Sequence, residues 1–227
     1  MKNVKLKKIG VSTNLQDEVL NNKELKQSVL IAENITITET GMNFIVKLNH
    51  QKIDLSLKVL GKHNITNLML AIAVAHKLGL TEEQIRRGVA KILDIPHRLE
   101  LKRLTSGDLL IDDAYNSNVE GFRNALEVLK GYKRKRIVVT PRIIDLGKDS
   151  EIVNAEIGYE IAKVADEVVI IKETNKKALL RGLVSCEFNK NHTYYAKSFK
   201  EAQKKYGEFL DGNSIILLEN DLPENYT

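Results

Sequence analysis

The chain has 227 residues, of which 43% are hydrophobic and 29% charged, an ordinary composition for a soluble globular protein. Its net charge of +5 is mild for a nucleic-acid binder, which usually clusters positive charge on one face, so we expect no nucleic-acid partner. The single cysteine excludes an internal disulfide and a cysteine-based metal site. No apolar run approaches the roughly 18 residues of a membrane span, and no signal peptide is recognisable, so we expect a cytoplasmic protein.

The first half of the chain changes its hydrophobic period. Residues 27–60 alternate with a period of two between short polar breaks, one of them Glu33-Asn34. This alternation predicts an antiparallel meander with strands at 28–32, 35–40, 44–48 and 53–60. A largely apolar helix is then predicted over 67–79, and Thr81–Gln84 is a capping sequence for a second helix over 85–93. Pro96 ends this region, so we place a domain boundary between residues 95 and 96.

From residue 96 onward, short β-branched runs alternate with helical patterns. The runs predict strands at 109–111, 136–140, 167–171 and 214–218. The helices are predicted at 120–129, 151–165, 175–183 and 198–210. Such alternation indicates a Rossmann-like α/β domain with a parallel sheet.

The first polar cluster spans residues 61–67. Asn64 and Asn67 lie three residues apart at the start of a helix, where both carboxamides can project toward one ligand. A carboxamide offers a donor and an acceptor together, as an adenine edge requires. The alternative, which spacing alone favours, is that Asn64 and Thr66 cap the helix.

The second cluster is Pro96-His97-Arg98-Leu99-Glu100, between the two domains. Arg98 can reach a phosphate or a ribose from such a hinge. It can equally pair with Glu100, and spacing alone favours that structural pair.

The third cluster, Asp-Asp-Ala-Tyr-Asn-Ser-Asn at 112–118, follows a predicted strand. Ligands of open α/β sheets bind at the carboxyl ends of strands, so this segment is a site candidate. Ser117 and Glu120 fit a capping box, which leaves the other polar residues of the segment unexplained. A buried aspartate at such a strand end needs a partner, and a ribose, a metal or a lysine would each serve.

Three motifs therefore follow one another: G-K-H-N-x-x-N at 61–67, H-R-L-E at 97–100 and D-D-A-Y-N-S-N at 112–118. In this order they resemble the Mur ligases, a superfamily of ATP-dependent amide ligases. The pattern D-D-x-Y-N-x-N resembles the branch that adds D-alanyl-D-alanine to the UDP-muramoyl tripeptide of the cell wall. Other branches carry histidine where Tyr115 and Asn116 stand.

The resemblance implies an ATP-dependent carboxylate–amine ligase that acts through an acyl phosphate in peptidoglycan precursor synthesis. ATP and Mg²⁺ would be its cofactors, and a UDP-muramoyl peptide and an amine such as D-alanyl-D-alanine its substrates. Residues 1–95 would be the C-terminal part of the ATP-binding central domain. Residues 96–227 would be the Rossmann-like C-terminal domain of a Mur ligase.

The phosphate-binding pattern G-x-x-x-x-G-K-[ST] does not occur in the 227 residues. We therefore expect the chain to be the C-terminal half of a ligase, inactive by itself, with most Mg²⁺ ligands in the other half. The alternative is a non-catalytic nucleotide-binding or regulatory module derived from a Mur ligase.

The resemblance also assigns roles to particular side chains. The residues expected to contact adenine or lie beside it are Asn64, Asn67 and His63. The residues expected to hold the ribose and phosphates are Arg98 and Asp113. The residues expected to face the acyl phosphate and the acceptor are Tyr115, Asn116 and Asn118.

Three positions depart from the family pattern. Val119 stands where the family usually has proline, and Pro141-Arg142 stands where a glycine-containing turn is usual. Residues 219–223 lack the basic segment expected of the D-alanyl-D-alanine branch. The acceptor amine can therefore differ from D-alanyl-D-alanine.

Overall fold

The computed structural model describes residues 10–12, 29–48, 51–115, 118–144, 146–172 and 176–219. The chain divides into two compact units, Met1–Leu93 and Asp94–Thr227. This division lies two residues before the boundary placed at Pro96.

The first unit contains a sheet in the order β1-β2-β3-β4, formed by Gly10–Ser12, Val29–Thr38, Gly41–Leu48 and Gln51–Leu57. Strands β2, β3 and β4 form the predicted antiparallel meander, and β1 pairs with β2 in parallel. The predicted break at Glu33-Asn34 is wrong, since both residues lie inside β2. The register shifts between Glu33 and Thr36, and Asn34 has a φ of 56°. The polar pair therefore marks a β-bulge, which asparagine tolerates better than most residues.

Two helices follow in the first unit, α1 at Lys62–Lys77 and α2 at Glu82–Ala90. Helix α1 buries a stripe of apolar side chains: Ile65, Leu68, Met69, Ile72 and Ala73. It begins earlier than the predicted residue 67, so the polar motif at 61–67 lies on its first two turns. The capping box before α2 is confirmed, because Thr81 and Gln84 each accept a hydrogen bond from the other's backbone N–H.

The second unit is built on a sheet in the order β5-β6-β10-β7-β8-β9. Its strands are Glu100–Arg103, Leu109–Asp113, Lys135–Thr140, Glu167–Ile171, Thr193–Ala196 and Ser214–Glu219 for β5 to β10. Strand β5 is antiparallel to β6, and the other neighbouring pairs are parallel. The predicted parallel α/β sheet is thus confirmed, whereas the two edge strands β5 and β9 were not predicted.

Helices cover both faces of this sheet. They are α3 at Val119–Lys130, α4 at Ser150–Ala162, α5 at Lys176–Ser185 and α6 at Phe199–Gly207. Helix α6 packs on β7, β8 and β9 through Phe199 and Ala202, which join a core cluster with Val139 and Val169. Helix α3 packs on β10. Because successive strand residues point to opposite faces, the buried central strands support helices on either side.

Helices α4 and α5 cross in backbone contact. A Cβ added at Gly182 would lie 1.9 Å from the carbonyl oxygen of Ala155, and one at Gly158 would lie 2.2 Å from that of Leu179. Glycine at both positions therefore permits this close crossing. Within the described ranges, no helix is long and apolar enough to cross a membrane.

Candidate functional site

Buried polar side chains end three adjacent strands of the second sheet. Asp112 and Asp113 end β6, Glu219 ends β10 and Thr140 ends β7, and all four are buried. Glu219 lies in register with Asp113 on the neighbouring strand. This carboxyl edge is where ligands bind in open α/β sheets. Sequence reasoning missed Glu219, although a charged residue that ends an apolar run is the same signal that identified Asp112.

The Asp112 carboxylate lies among three ionisable neighbours. Its Oδ2 is 2.9 Å from Nδ1 of His97 and accepts a hydrogen bond from Nζ of Lys102 at 2.8 Å. The same ammonium lies 2.9 Å from Oε2 of Glu100. Burial alone would lower the pKa of Lys102, but its hydrogen bonds to Asp112 and Glu100 raise that pKa above its ordinary value. Lysine is therefore the partner that this buried aspartate required, and Glu100 pairs with Lys102.

His97, Glu100 and Asp112 also offer ligand atoms within 4.8 Å of one another. Such a set can hold a metal ion in principle. The ammonium of Lys102 already supplies positive charge between the two carboxylates. A second cation beside it would be repelled, so this set fits a lysine-centred ion-pair network better than a metal site.

Asp113 holds the loop that precedes β5. Its Oδ1 accepts a hydrogen bond from the backbone N–H of Leu99 at 3.1 Å. Leu99 and His97 have φ values of 49° and 59°, in the left-handed region. Such a conformation costs a non-glycine residue about 1–2 kcal/mol and persists only where its surroundings hold it. The predicted ribose contact is thus a carboxylate with 8% exposure that already holds the backbone.

Arg98 projects to the surface between these two left-handed residues. Its guanidinium carbon lies 4.5 Å from the centroid of the Tyr115 ring, and Tyr115 is 61% exposed. A cation–π contact of this kind contributes roughly 0.5–1 kcal/mol at an exposed site. The structure therefore brings together Arg98, Tyr115 and Asp113, which the sequence analysis took from two separate motifs.

Asn118 is the N-cap of α3. Its Oδ1 accepts a hydrogen bond from the backbone N–H of Gly121 at 2.8 Å. The predicted capping box of Ser117 and Glu120 is therefore wrong, because the cap lies one residue later. Ser117 and Asn116 lie outside the described residues, so the role expected of Asn116 stays a prediction.

Two departures from the family pattern have a structural explanation. Val119 is the first residue of α3, a position where proline is also accommodated. Arg142 has a φ of 103°, a backbone conformation that favours glycine, so the usual glycine-containing turn would fit here. Arg142 instead donates from its backbone N–H to Oγ1 of Thr140 at 3.2 Å and from Nη1 to Oγ of Ser150 at 3.1 Å.

In the first unit, the motif residues His63, Asn64 and Asn67 lie on the first two turns of α1. His63 and Asn67 are exposed and four residues apart, so they share one side of the helix. Asn64 is half-buried, and its Nδ2 donates a hydrogen bond to the carbonyl of Leu60 at 2.7 Å. Asn67 is therefore the carboxamide most available to a ligand on this side.

The alternative prediction, that Asn64 and Thr66 cap α1, is wrong. The N-cap is Gly61, which has a φ of 97° and makes no side-chain hydrogen bond to the helix. Thr66 donates within the helix, from Oγ1 to the carbonyl of Lys62 at 3.3 Å. With no acidic residue in the first turn, the positive end of this helix is not balanced by a carboxylate of its own.

Two family models match the chain. The model described as "Mur ligase, glutamate ligase domain" matches residues 97–218, more than half of the chain. The model described as "Mur ligase middle domain" matches residues 3–75. The chain belongs to the Mur ligase family. The family prediction made from the three motifs is therefore confirmed.

Several curated relatives carry the name of the branch that the third motif predicted. The UDP-N-acetylmuramoyl-tripeptide–D-alanyl-D-alanine ligase of Haemophilus influenzae is 32% identical over 194 residues, 86% of this chain and 39% of that protein. The ligase of the same name from Escherichia coli is 34% identical over 134 residues, 59% of this chain and 29% of that protein. The chain thus spans between 29% and 39% of the length of these two relatives.

Solved structures share the Mur ligase fold. MurF from Acinetobacter baumannii superposes with a TM-score of 0.70 at 21% identity, covering 95% of this chain and 49% of that one. The MurF ligase from Thermotoga maritima in complex with ADP gives a TM-score of 0.68 at 18% identity, covering 93% and 49%. The predicted fold class, a Mur ligase C-terminal domain preceded by central-domain elements, is confirmed.

Proposed function

We propose that this chain provides part of the ATP site and the acceptor-facing side of a MurF-like amide ligase. The reaction would join D-alanyl-D-alanine, or a related amine, to a UDP-muramoyl peptide during peptidoglycan precursor synthesis. The observation that carries the proposal is the exposed Arg98–Tyr115 pair at the carboxyl edge of the second sheet. The names of the relatives support the substrates, and the branch motif at 112–118 supports the same choice.

The second unit fits the ribose and phosphate part of a nucleotide. The guanidinium of Arg98 carries several N–H donors in one plane, which suit phosphate oxygens. Asp113 is one of the buried carboxylates at the strand ends, is hydrogen-bonded to the residue after Arg98 and would meet the ribose from there. Tyr115 presents an aromatic face and a phenol on the exposed side.

The first unit fits the base and the anionic end of a nucleotide. The exposed carboxamide of Asn67, with His63 on the same side and Asn64 behind it, offers paired donors and acceptors for adenine. The start of α1 has a glycine N-cap and no acidic residue, which favours a nearby anion. The ADP in the Thermotoga maritima ligase structure supports ATP as the cofactor here.

The described side chains do not fit Mg²⁺. Among the described residues, one set of three histidine and carboxylate groups lies close enough to hold a metal, and Lys102 already pairs with both of its carboxylates. We therefore assign no Mg²⁺ ligand to this part of the chain and derive no step from the ion.

In the proposed reaction, ATP would supply the phosphoryl group that activates a carboxylate for attack by an amine. Arg98 would orient phosphate oxygens and offset the negative charge that builds on them. Tyr115, Asn116 and Asn118 would face the activated carboxylate and the acceptor. The chain has no G-x-x-x-x-G-K-[ST] pattern to cradle the β- and γ-phosphates, so we propose that these 227 residues do not ligate by themselves.

Calorimetry with ADP tests the site. We expect weak binding that Asn67→Ala and Arg98→Ala each weaken further. The matched controls are Asn191→Ala and Arg181→Ala, exposed residues outside the three motifs that should leave the affinity unchanged. Equal affinities in all variants would contradict the site assignment.

A ligation assay with UDP-muramoyl tripeptide, D-alanyl-D-alanine and ATP tests the activity. We expect no product from the chain alone and product when the N-terminal part of a D-alanyl-D-alanine ligase is fused to it. Turnover by the chain alone would contradict the phosphate-cradle argument. ADP binding without turnover in any fusion would instead favour the regulatory module.

A further inference from the structure

The Asp112 carboxylate contacts both chain segments that carry the Arg98–Tyr115 pair. Oδ2 of Asp112 lies 2.9 Å from Nδ1 of His97, the residue directly before Arg98. Oδ1 of Asp112 accepts a hydrogen bond at 3.3 Å from the backbone N–H of Ala114, the residue directly before Tyr115. The two oxygens of Asp112 thus fix the two positions from which the stacked side chains extend.

A backbone contact joins the same two segments. The N–H of Tyr115 donates to the carbonyl of His97 at 3.4 Å, which places Tyr115 beside the loop rather than free at the end of β6. His97 itself is left-handed and donates its N–H to Oε2 of Glu100 at 3.1 Å. Such a conformation depends on the contacts around it, so the direction in which Arg98 extends depends on them as well.

We propose that Asp112 is a positioning residue, which holds the guanidinium of Arg98 over the ring of Tyr115 by fixing His97 and Ala114. The pair is then presented in one arrangement before any ligand arrives. Only the identity of that ligand, a nucleotide, rests on the proposed function.

Asparagine at position 112 has the right shape to test this. Asp112 uses both oxygens as acceptors, and Lys102 donates to the same Oδ2 that faces His97. An asparagine side chain has one oxygen and one NH₂ group, so it can accept on one side only. Whichever way the amide turns, its NH₂ group faces another donor, either Nζ of Lys102 or the backbone N–H of Ala114.

The direct readout is the NMR signal of the Arg98 side chain in the full 227-residue chain. Protons above an aromatic ring are shifted upfield, and Arg98→Lys identifies the signal by its disappearance. Tyr115→Ala defines the position of the unstacked guanidinium. We expect Asp112→Asn to move the Arg98 signals to that unstacked position while the signals of β7 and β8 stay in place.

A second variant covers the case in which Asp112→Asn does not fold. His97→Asn removes the ring that Asp112 contacts and keeps a residue that tolerates the left-handed conformation. It should also unstack Arg98. The control is Asp166→Asn, which removes a carboxylate paired with Arg136 at the opposite end of the sheet and should leave Arg98 stacked.

Stacked Arg98 signals in both Asp112→Asn and His97→Asn would overturn the proposal. Unstacking in Asp166→Asn would also overturn it, because the signal would then report any loss of stability. These outcomes do not depend on nucleotide binding.

ADP affinity provides a separate test of whether Asp112 affects nucleotide binding through Arg98. We expect Asp112→Asn to weaken ADP binding roughly fivefold, and the double variant with Arg98→Ala to bind no more weakly than Arg98→Ala alone. Additive losses would show that Asp112 does not act through Arg98. If ADP does not bind at all, the proposed function fails while the NMR result still decides the positioning role.

Discussion

Alanine at Gly182 should destabilise the second unit, although alanine is the better helix former. In the interior of a helix the exchange normally gains about 1 kcal/mol. Here the new Cβ would lie 1.9 Å from the carbonyl oxygen of Ala155 and 2.5 Å from the backbone nitrogen of Tyr159. Both obstacles are backbone atoms of α4, so no side-chain rotation relieves them and the two helices must separate.

The size of the effect follows from these opposing contributions. Overpacking typically costs about 1–3 kcal/mol, and the upper end applies here because the obstacles are backbone atoms. Subtracting the helix-propensity gain of about 1 kcal/mol leaves a net loss of about 2 kcal/mol. For a chain of this size, that loss lowers the midpoint of thermal unfolding by roughly 4–8 °C. Circular dichroism at 222 nm during heating measures it directly.

Gly207 is the matched control. It ends α6 in the same unit, and a Cβ there would meet no atom within 4 Å. Gly207→Ala should therefore leave the midpoint unchanged or raise it. If Gly182→Ala also leaves the midpoint unchanged or raises it, the close crossing of α4 and α5 is refuted.

Three further predictions concern single side chains of the second unit. Burial alone would raise the pKa of Asp108, but hydrogen bonds from Ser106 and from backbone N–H groups, including that of Ser214, hold it below its ordinary value. The ionised Asp108 carboxylate therefore stabilises the fold above its unfolded pKa, and this stabilisation is lost as the pH falls through the lower folded pKa. The urea midpoints of Asp108→Asn and of the parent protein should therefore converge at acidic pH. A difference between the midpoints that does not change with pH would contradict this. Arg142 has a φ of 103°, so the Arg142→Gly variant should be more stable to urea than Arg142→Ala by about 1 kcal/mol. This order is the reverse of the one found inside helices. An Arg142→Ala variant of equal or higher stability would contradict a strained backbone at this position. Asn118→Ala should lower the free energy of unfolding by about 1 kcal/mol, whereas Asn118→Asp should leave it almost unchanged. If Asn118→Ala also leaves the free energy of unfolding unchanged, Asn118 is not the N-cap.

The sequence predicts best the elements whose evidence is local. The buried strands β7, β8 and β10 appear as short β-branched runs, and Thr81 and Gln84 lie three residues apart in a capping box. Edge strands carry weaker signals, because one side pairs with nothing and polar residues are favoured there. The sequence Glu-Leu-Lys-Arg of β5 therefore does not look like a strand, although it pairs with β6 along its length.

The candidate site was predicted in part for a different reason. The third motif marked the correct strand end, but Asp112 contacts Lys102 and His97, which lie ten and fifteen residues earlier in the chain. The carboxylate of Asp113 accepts a hydrogen bond from a backbone N–H. The residue types in the sequence reveal neither of these contacts. The left-handed conformations of His97 and Leu99 are equally hidden, since neither residue is a glycine. The location of the site could therefore be predicted from the sequence. The hydrogen-bond partners of each carboxylate could not.

The position of β10 has a consequence for how the second unit is made. Strands β6 and β7 follow one another in the sequence, yet they do not pair, because β10 at Ser214–Glu219 lies between them. During synthesis, the nascent chain therefore holds two apolar strands with unpaired edges until residue 219 has left the ribosome. A stop codon before residue 214 would remove the centre of the sheet rather than its margin, and the product should be a target for proteases instead of a shortened domain.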